Sequence, residues 1–241
     1  MEDLKSLVYK FGSQQLKNIV ANLEDESAVT AGRTVIDFKL YDRILINYGI
    51  TSISSGVITA KTGTFTMPSL VNFFNKTAEG RTLQGLQVEK NTARINNLIL
   101  DGKADEPYRF DRLAVDVEVF DNTAADGGAA GLKNVGGVSE ESASVYRRIV
   151  NSGKLIINVN GRDLNYAEPL GFGGSSVAID GSDIKNVYNK KTPKYIDPAI
   201  FLPETTSFNA KIEMIEPVEI PAYMSVAITV SLIGYKFLKN C

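Results

Sequence analysis

The stretch Leu-Ala-Val-Asp-Val-Glu-Val-Phe at residues 113–120 is the clearest strand signal in the chain. Its residues alternate, so Leu113 and every second residue after it face a core, while Glu118 and Phe120 face outward. Close to the carboxyl end, residues 226–233 alternate in the same way. Two such strands predict an all-β protein in which one face of each long strand is buried.

Each of these strands follows a similar short motif at a similar distance. The motif Asn-Phe-Phe-Asn-Lys-Thr at residues 72–77 is echoed by Asn-Val-Tyr-Asn-Lys-Lys-Thr at residues 186–192. Short apolar runs at residues 34–40 and 154–160 precede the two motifs in the same order. Landmarks that repeat in one order and at nearly one spacing predict a duplicated β-rich unit. Chance similarity among common residues is the alternative.

Turn and periodicity signals divide the chain into four parts. Residues 1–27 carry apolar side chains at helical spacing and predict an amphipathic helical segment with a kink or break near Gly12. Residues 28–120 and residues 145–241 each contain short alternating strands at the spacing of a jelly-roll β-barrel. The Gly/Ala-rich residues 121–144 show no periodicity and predict a linker or an exposed loop.

A short helix is predicted inside each roll. The first follows Pro68 and extends toward Gly80, because proline is favoured in the first turn of a helix. The second covers residues 182–189, which include the repeated motif. The sequence therefore predicts two tandem jelly rolls, each with one inserted helix, after a short helical segment.

Composition excludes several classes of chemistry. The 241 residues include no histidine, and the single cysteine, Cys241, is the last residue. Serine-histidine and cysteine-histidine catalysis are therefore impossible, and the usual zinc ligands are missing. The chain has 26 basic and 28 acidic residues, without the concentrated basic face that binding to a phosphate backbone requires. We expect no enzyme activity, no cofactor, no metal and no direct contact with nucleic acid.

Three weaker motifs each have a simpler interpretation. Asp116 and Glu118 share one strand face and are candidates for the acid and base of a glycosidase. The glycine-rich residues 171–176 lack the Lys-Ser/Thr ending of a phosphate-binding loop. Asp121 and Asp126 offer oxygen ligands, but at a spacing that fits no known calcium loop. An outward strand face, a loop between strands and a polar linker explain these residues better.

Residues 220–237 read Ile-Pro-Ala-Tyr-Met-Ser-Val-Ala-Ile-Thr-Val-Ser-Leu-Ile-Gly-Tyr-Lys-Phe. This stretch, together with the tandem β units, resembles the double jelly-roll major capsid proteins of icosahedral bacterial viruses that contain an internal membrane. The resemblance implies a homotrimer whose six rolls form a pseudo-hexameric capsomer. It also implies contacts with neighbouring capsomers, minor capsid proteins and the internal membrane.

The resemblance further implies a location in the virion after assembly in the host cytoplasm. The acidic start of the chain, which is unlike a secretory signal, agrees with cytoplasmic synthesis. Two alternatives remain open: another viral structural protein, such as a spike or tail component, or a carbohydrate-binding or hydrolytic jelly-roll protein.

Two groups of residues are predicted to make contacts in such a shell. Phe120 and Tyr235 lie on the outward faces of the long strands, so burial between subunits would explain them. The amino-terminal segment combines apolar stripes with a cationic fringe that suits a membrane surface. The residues predicted to face the membrane or the inner side of the shell are Lys5, Lys10, Phe11 and Lys17.

Overall fold

A computed structural model describes most of the chain outside the amino-terminal segment. The described residues are 26, 29–47, 49–54, 57–75, 82–83, 86–87, 96–121, 140–170, 178–180, 183–185 and 193–239. The amino-terminal segment lies outside these residues, except that Glu26, Val29 and Thr30 are helical. The all-β expectation is confirmed for the described residues, which form antiparallel sheets with one bounded helix.

The strands and the helix are numbered in chain order. They are β1 Arg33–Asn47, β2 Ile50–Ser54, β3 Val57–Ala60, β4 Thr64–Thr66, β5 Leu70–Phe73, β6 Thr82–Leu83, β7 Leu86–Gln87, β8 Tyr108–Asp121, α1 Glu140–Ser152, β9 Gly153–Val159, β10 Arg162–Pro169, β11 Ala178–Asp180, β12 Asp183–Lys185, β13 Lys194–Leu202, β14 Phe208–Met214, β15 Glu219–Pro221 and β16 Met224–Lys239.

Two four-stranded antiparallel sheets form the body of the protein. Sheet 1 has the order β1-β16-β8-β13, and sheet 2 has the order β10-β9-β14-β5. The pairs β2-β3, β4-β15, β6-β7 and β11-β12 are small two-stranded additions. Each four-stranded sheet therefore contains strands from both of the halves that the sequence predicts.

The eight strands of the two sheets are paired in a nested order. Strand β1 pairs with β16, β5 with β14, β8 with β13, and β9 with β10. These four pairs together form one long hairpin of eight strands. The further pairings β8-β16 and β9-β14 fold that hairpin into two sheets. Nested pairs that are rolled in this way are the strand arrangement of one jelly roll.

The prediction of two tandem barrels, at residues 28–120 and 145–241, is therefore wrong for the described strands. The two alternating stretches are hydrogen-bonded neighbours in one sheet, with Leu113 opposite Leu232 and Val119 opposite Val226. They look alike because both bury one face on the same core. Similarity of pattern reflected similar surroundings rather than a duplicated domain.

The inserted helices are also corrected. Leu70–Phe73 is strand β5, in which Val71 and Phe73 are buried while Leu70 and Asn72 are exposed. This period of two matches a strand that pairs with β14, and it outweighs the helix signal from Pro68. In the second segment Asp183–Lys185 is strand β12, while residues 186–192 lie outside the described residues.

Helix α1 spans the predicted boundary between linker and second roll. Two acidic residues lie at its amino-terminal end, where their negative charge interacts favourably with the helix dipole. Val145 and Ile149 are fully buried. Strand β13 pairs with β8 only over residues 108–113, and α1 contacts β8 and β10. The helix thus closes a side of the roll that β13 leaves open.

One hydrophobic core lies between the two sheets. It includes the alternating residues of β8, namely Leu113, Val115, Val117 and Val119, as the sequence predicts. Phe73 from the first predicted half and Phe208 from the second belong to the same cluster. The interior is filled by side chains, and the two halves cannot be separated without exposing it.

Candidate interaction surfaces

The outer face of sheet 1 carries an aromatic and arginine-rich patch, formed by Arg109, Arg112, Tyr195 and Tyr235. Tyr235 lies opposite Arg109, and Tyr195 lies opposite Arg112, so the four residues occupy neighbouring rows of β16, β8 and β13. Each points away from the core because its strand neighbours point inward. Tyr195 is 71% exposed, and Tyr235 is half-buried. We call this patch the Tyr-Arg surface.

Carboxylates of the same chain hold the two arginines in place. Arg112 Nε donates to Asp111 Oδ1 at 3.1 Å, and Arg109 Nη1 donates to Glu26 Oε1 at 3.2 Å. The hydrogen bond to Asp111 raises the pKa of Arg112. Because Glu26 contacts Arg109, the chain that precedes β1 approaches the outer face of sheet 1 at this surface.

The predicted interface residues Phe120 and Tyr235 lie at opposite ends of one sheet. The backbone of Phe120 in β8 pairs with Ser225, which lies far along β16 from Tyr235. The side chain of Phe120 is not among those that the structure describes. Their burial between subunits stays a prediction. The predicted membrane-facing residues Lys5, Lys10, Phe11 and Lys17 lie outside the described residues.

The acid pair Asp116 and Glu118 lies on the outer face of β8. Glu118 forms an ion pair with Arg43 of β1, across β16. Burial raises the pKa of Glu118, and the charge of Asp116 adds to the rise, while Arg43 opposes it. Burial and the charge of Asp116 also raise the pKa of Tyr146 in α1.

A raised carboxyl pKa is one requirement of a general acid, but the described residues around Asp116 and Glu118 supply no further feature of a glycosidase site. The carboxylate of Glu118 is already paired with the guanidinium group of Arg43. Tyr146 is only 8% exposed, so the face of its ring is not open to a sugar. The arrangement supports an ion pair between strands rather than catalysis.

The ionisation of Glu118 should lower stability as the pH rises. Its pKa is higher in the folded than in the unfolded chain, so the folded state binds more protons between the two values. The wild-type free energy of unfolding should therefore fall, relative to Glu118→Gln, as the pH rises through that window. Urea titrations at several pH values measure this difference. Asp116→Asn should narrow the pH range between the unfolded and folded pKa values of Glu118. If the free energies of unfolding of the wild type and Glu118→Gln differ by the same amount at all pH values, the raised pKa of Glu118 is contradicted.

A second charged group lies on the core side of sheet 1. Lys236 follows Ile228, Val230 and Leu232 in the inward phase of β16, and only 9% of its side chain is exposed. Its Nζ lies 2.7 Å from Asp105 Oδ2 and 5.3 Å from the ring centroids of both Phe38 and Tyr108.

The hydroxyl of Tyr108 donates to Asp105 Oδ1, and burial together with this carboxylate raises the pKa of Tyr108. We call Phe38, Asp105, Tyr108 and Lys236 the lysine cluster. This cluster is not among the groups predicted from the sequence. The available signal was a charged residue at an inward position of an alternating strand.

Further ion pairs surround the lysine cluster at the same end of the roll. Arg33 at the start of β1 contacts Glu106 at 2.7 Å and Glu204 at 3.4 Å. Lys239 at the end of β16 contacts Glu204 at 2.8 Å, and the side chains of this pair are far more exposed than those of Lys236 and Asp105. The first and last strands of the roll are thus tied to the loops at residues 104–107 and 203–206.

The described outer face of sheet 2 is mostly polar, although it includes the exposed side chain of Leu70. Asp163 of β10 accepts hydrogen bonds from Asn158 Nδ2 at 2.7 Å and Lys211 Nζ at 3.0 Å. These two donors lower the pKa of Asp163. The described side chains of this face include no aromatic ring on which a sugar could stack.

Comparisons with known proteins identify no relative of this chain. No protein-family model, no curated protein and no solved structure matches it. Among the helical residues described, none belongs to a helix long and apolar enough to cross a membrane. The described part of the chain also contains no group of three or more potential metal-ligating side chains.

Proposed function

We propose that the protein is a structural subunit that assembles with copies of itself into a virus-type shell. The observation that carries this proposal is the nested eight-stranded roll with a filled core. A stiff, closed body with recognition surfaces on its outside is what a shell subunit requires. The lack of histidine in the sequence and the occupied acid pair add support, because a shell subunit needs no chemistry.

The two edges of sheet 1 favour association through faces over association by strand addition. At the edge of β1, Tyr41 N–H donates to Asn97 Oδ1 at 2.9 Å, and Asn97 Nδ2 donates to Lys39 O at 2.8 Å. At the edge of β13, Pro198 has no N–H to donate, and the pairing register is interrupted between Tyr195 and Ile200. Blocked edges prevent uncontrolled pairing with other chains.

The Tyr-Arg surface is the best candidate for contact between subunits. Tyrosine and arginine are enriched at the energetic centres of protein interfaces, and an exposed tyrosine on a rigid strand loses little entropy on binding. The intramolecular ion pairs hold Arg109 and Arg112 in fixed positions. This surface includes Tyr235, which the sequence analysis places at a subunit interface.

A single roll changes the expected geometry of the capsomer. The resemblance to double jelly-roll capsid proteins implies six rolls from three chains. With one roll per chain in the described strands, a tile of six rolls requires six chains. The proposal therefore keeps the homo-oligomeric shell, the neighbouring capsomers and the virion location, and it assigns the tile to a hexamer rather than a trimer.

Assembly tests the proposal directly. Light scattering coupled to size exclusion should give a closed oligomer, and electron microscopy at high concentration should show tiles or shells. Tyr195→Ala should weaken association by about 2 kcal/mol, or roughly 30-fold, because an anchor is lost at the interface. The matched control is Ile99→Ala, which removes another well-exposed apolar side chain. A strict monomer that binds glycans would overturn the proposal.

The amino-terminal segment is proposed to face the inner side of the shell and an internal membrane. Its lysines should each contribute about 1 kcal/mol at an anionic surface, so single copies bind weakly and assembled copies bind firmly. Deleting residues 2–23 should leave the oligomer intact and abolish sedimentation with anionic vesicles. A triple Lys-to-Gln variant at residues 5, 10 and 17 should show the same loss. Failure of the truncated chain to oligomerise would place the segment in the structural core.

A further inference from the structure

We propose that Lys236 and Asp105 condense into an amide bond that joins the last strand of the roll to the loop before β8. The reaction needs an amine and a carboxyl group in contact, both shielded from water, and a donor on the carboxyl oxygen. The lysine cluster supplies all three. This proposal does not depend on the proposed function.

The geometry places the reacting atoms together. Lys236 Nζ lies 2.7 Å from Asp105 Oδ2, and the two side chains are only 9% and 14% exposed. The ring of Tyr108 stacks between Phe38 and Phe110, each at 5.3 Å between centroids. Both strands that flank β16 hold these rings, so the ammonium group lies in an aromatic, low-dielectric environment.

Condensation requires an amine with a free lone pair. Because Lys236 Nζ and Asp105 Oδ2 are in contact, a proton that moves along this hydrogen bond from the ammonium group to the carboxylate supplies that amine together with a carboxylic acid. The amine lone pair then attacks the carboxyl carbon of Asp105. Contact in a rigid fold replaces a bimolecular encounter, which raises the effective concentration of the amine by many orders of magnitude.

Tyr108 has a defined role in this step. Its hydroxyl donates to Asp105 Oδ1, where negative charge develops as the amine adds. The N–C bond forms and the bond from carbon to Oδ2 breaks. Oδ2 leaves as water with two protons that were on the ammonium group, while Oδ1 remains as the amide oxygen and still accepts from Tyr108. The ion pair becomes one amide and one water, so no oxidant or cofactor is needed.

A second lysine–carboxylate pair in the same region provides an internal control. Lys239 Nζ lies 2.8 Å from Glu204 Oε1, but the side chains are 59% and 35% exposed. Water solvates both groups at that position, so proximity without burial should give no amide. The contrast isolates burial and the Tyr108 hydroxyl as the features that drive the reaction.

The test is the intact mass of the full-length chain under denaturing conditions. The wild-type protein should be lighter than its sequence by one water, and proteolysis should release a branched peptide that links residues 105 and 236. Asp105→Ala and Lys236→Met should have their full masses. Lys239→Met should still lose one water. Tyr108→Phe keeps the ring but lacks the hydroxyl, so its linkage should form more slowly after refolding.

Peptide mapping separates this linkage from other losses of water that the sequence permits. Asp101, Asp126 and Asp180 each precede a glycine, and a succinimide at any of these bonds would also lower the mass by one water. A loss that maps to one of these Asp-Gly bonds, with residues 105 and 236 unlinked, would overturn the proposal. A wild-type chain of full mass would overturn it as well and would leave Lys236 and Asp105 as a buried ion pair.

Discussion

Gly234→Ala is expected to destabilise the protein by about 3 kcal/mol or more, so that little folded protein is recovered. A Cβ atom at this position would lie 2.0 Å from the carbonyl oxygen of Arg109 and 2.9 Å from Phe110 Cα. Both are backbone atoms. The clash therefore cannot be relieved by rotation of a side chain.

The surroundings of Gly234 explain why the backbone cannot move away. Gly234 lies at a register shift between β16 and β8, and β16 is also paired with β1 on its other side. Gly153→Ala is the comparison, because its Cβ would lie 2.1 Å from Leu170 Cδ1 and 2.7 Å from Leu170 Cγ, which are side-chain atoms. A buried side chain can repack at a lower cost than a strand backbone that is paired on both sides. Thermal unfolding should show a larger shift for Gly234→Ala. Equal shifts would contradict the bulge geometry.

Phe208→Ala and Phe73→Ala are each expected to lower the free energy of unfolding by about 3–5 kcal/mol, and both should shift one and the same transition. Phe73 is 0% exposed in the first predicted half, and Phe208 is 1% exposed in the second. Because both belong to one core, the loss of either ring weakens both sheets.

Two probes measure this shared transition. Far-UV circular dichroism follows the strands, and tyrosine fluorescence follows the side chains, since the chain has no tryptophan. The two urea curves should coincide in the wild type and in both variants. Ile99→Ala, at a side chain that is 62% exposed, should leave the midpoint nearly unchanged. Two transitions, each sensitive to only one of the phenylalanines, would restore the two-barrel interpretation.

The faces of the long strands were predictable, but their partners were not. The alternation in β8 and β16 predicts which side chains point inward, and these side chains are buried in the structure. Alternation does not state which strand lies beside which, because any two strands with a buried face satisfy it. The repeated motif predicts a duplication, yet residues 113 and 232 face each other in one sheet.

The local errors have similar physical causes. The segment at residues 70–73 contains apolar side chains that fit either a helix or a strand, and pairing with β14 decides the outcome. Helix α1 has sequence signals in its acidic first turn and in the helical spacing of Val145 and Ile149, but the predicted division at residue 144 places it partly in the linker and partly in the second roll. Tyr235 was correctly placed on an outward face, whereas the lysine cluster required the three-dimensional arrangement of β8 and β16.

Nested pairing also determines when the protein can fold during its synthesis. Strand β9 meets its hairpin partner β10 at once, but β1 must wait until β16 has been translated. At 5–20 residues per second this delay is roughly ten to forty seconds for β1. Strands β5 and β8 wait for shorter times, until their partners β14 and β13 have been made. The nascent chain therefore depends on chaperone protection or rapid elongation until the last strand leaves the ribosome.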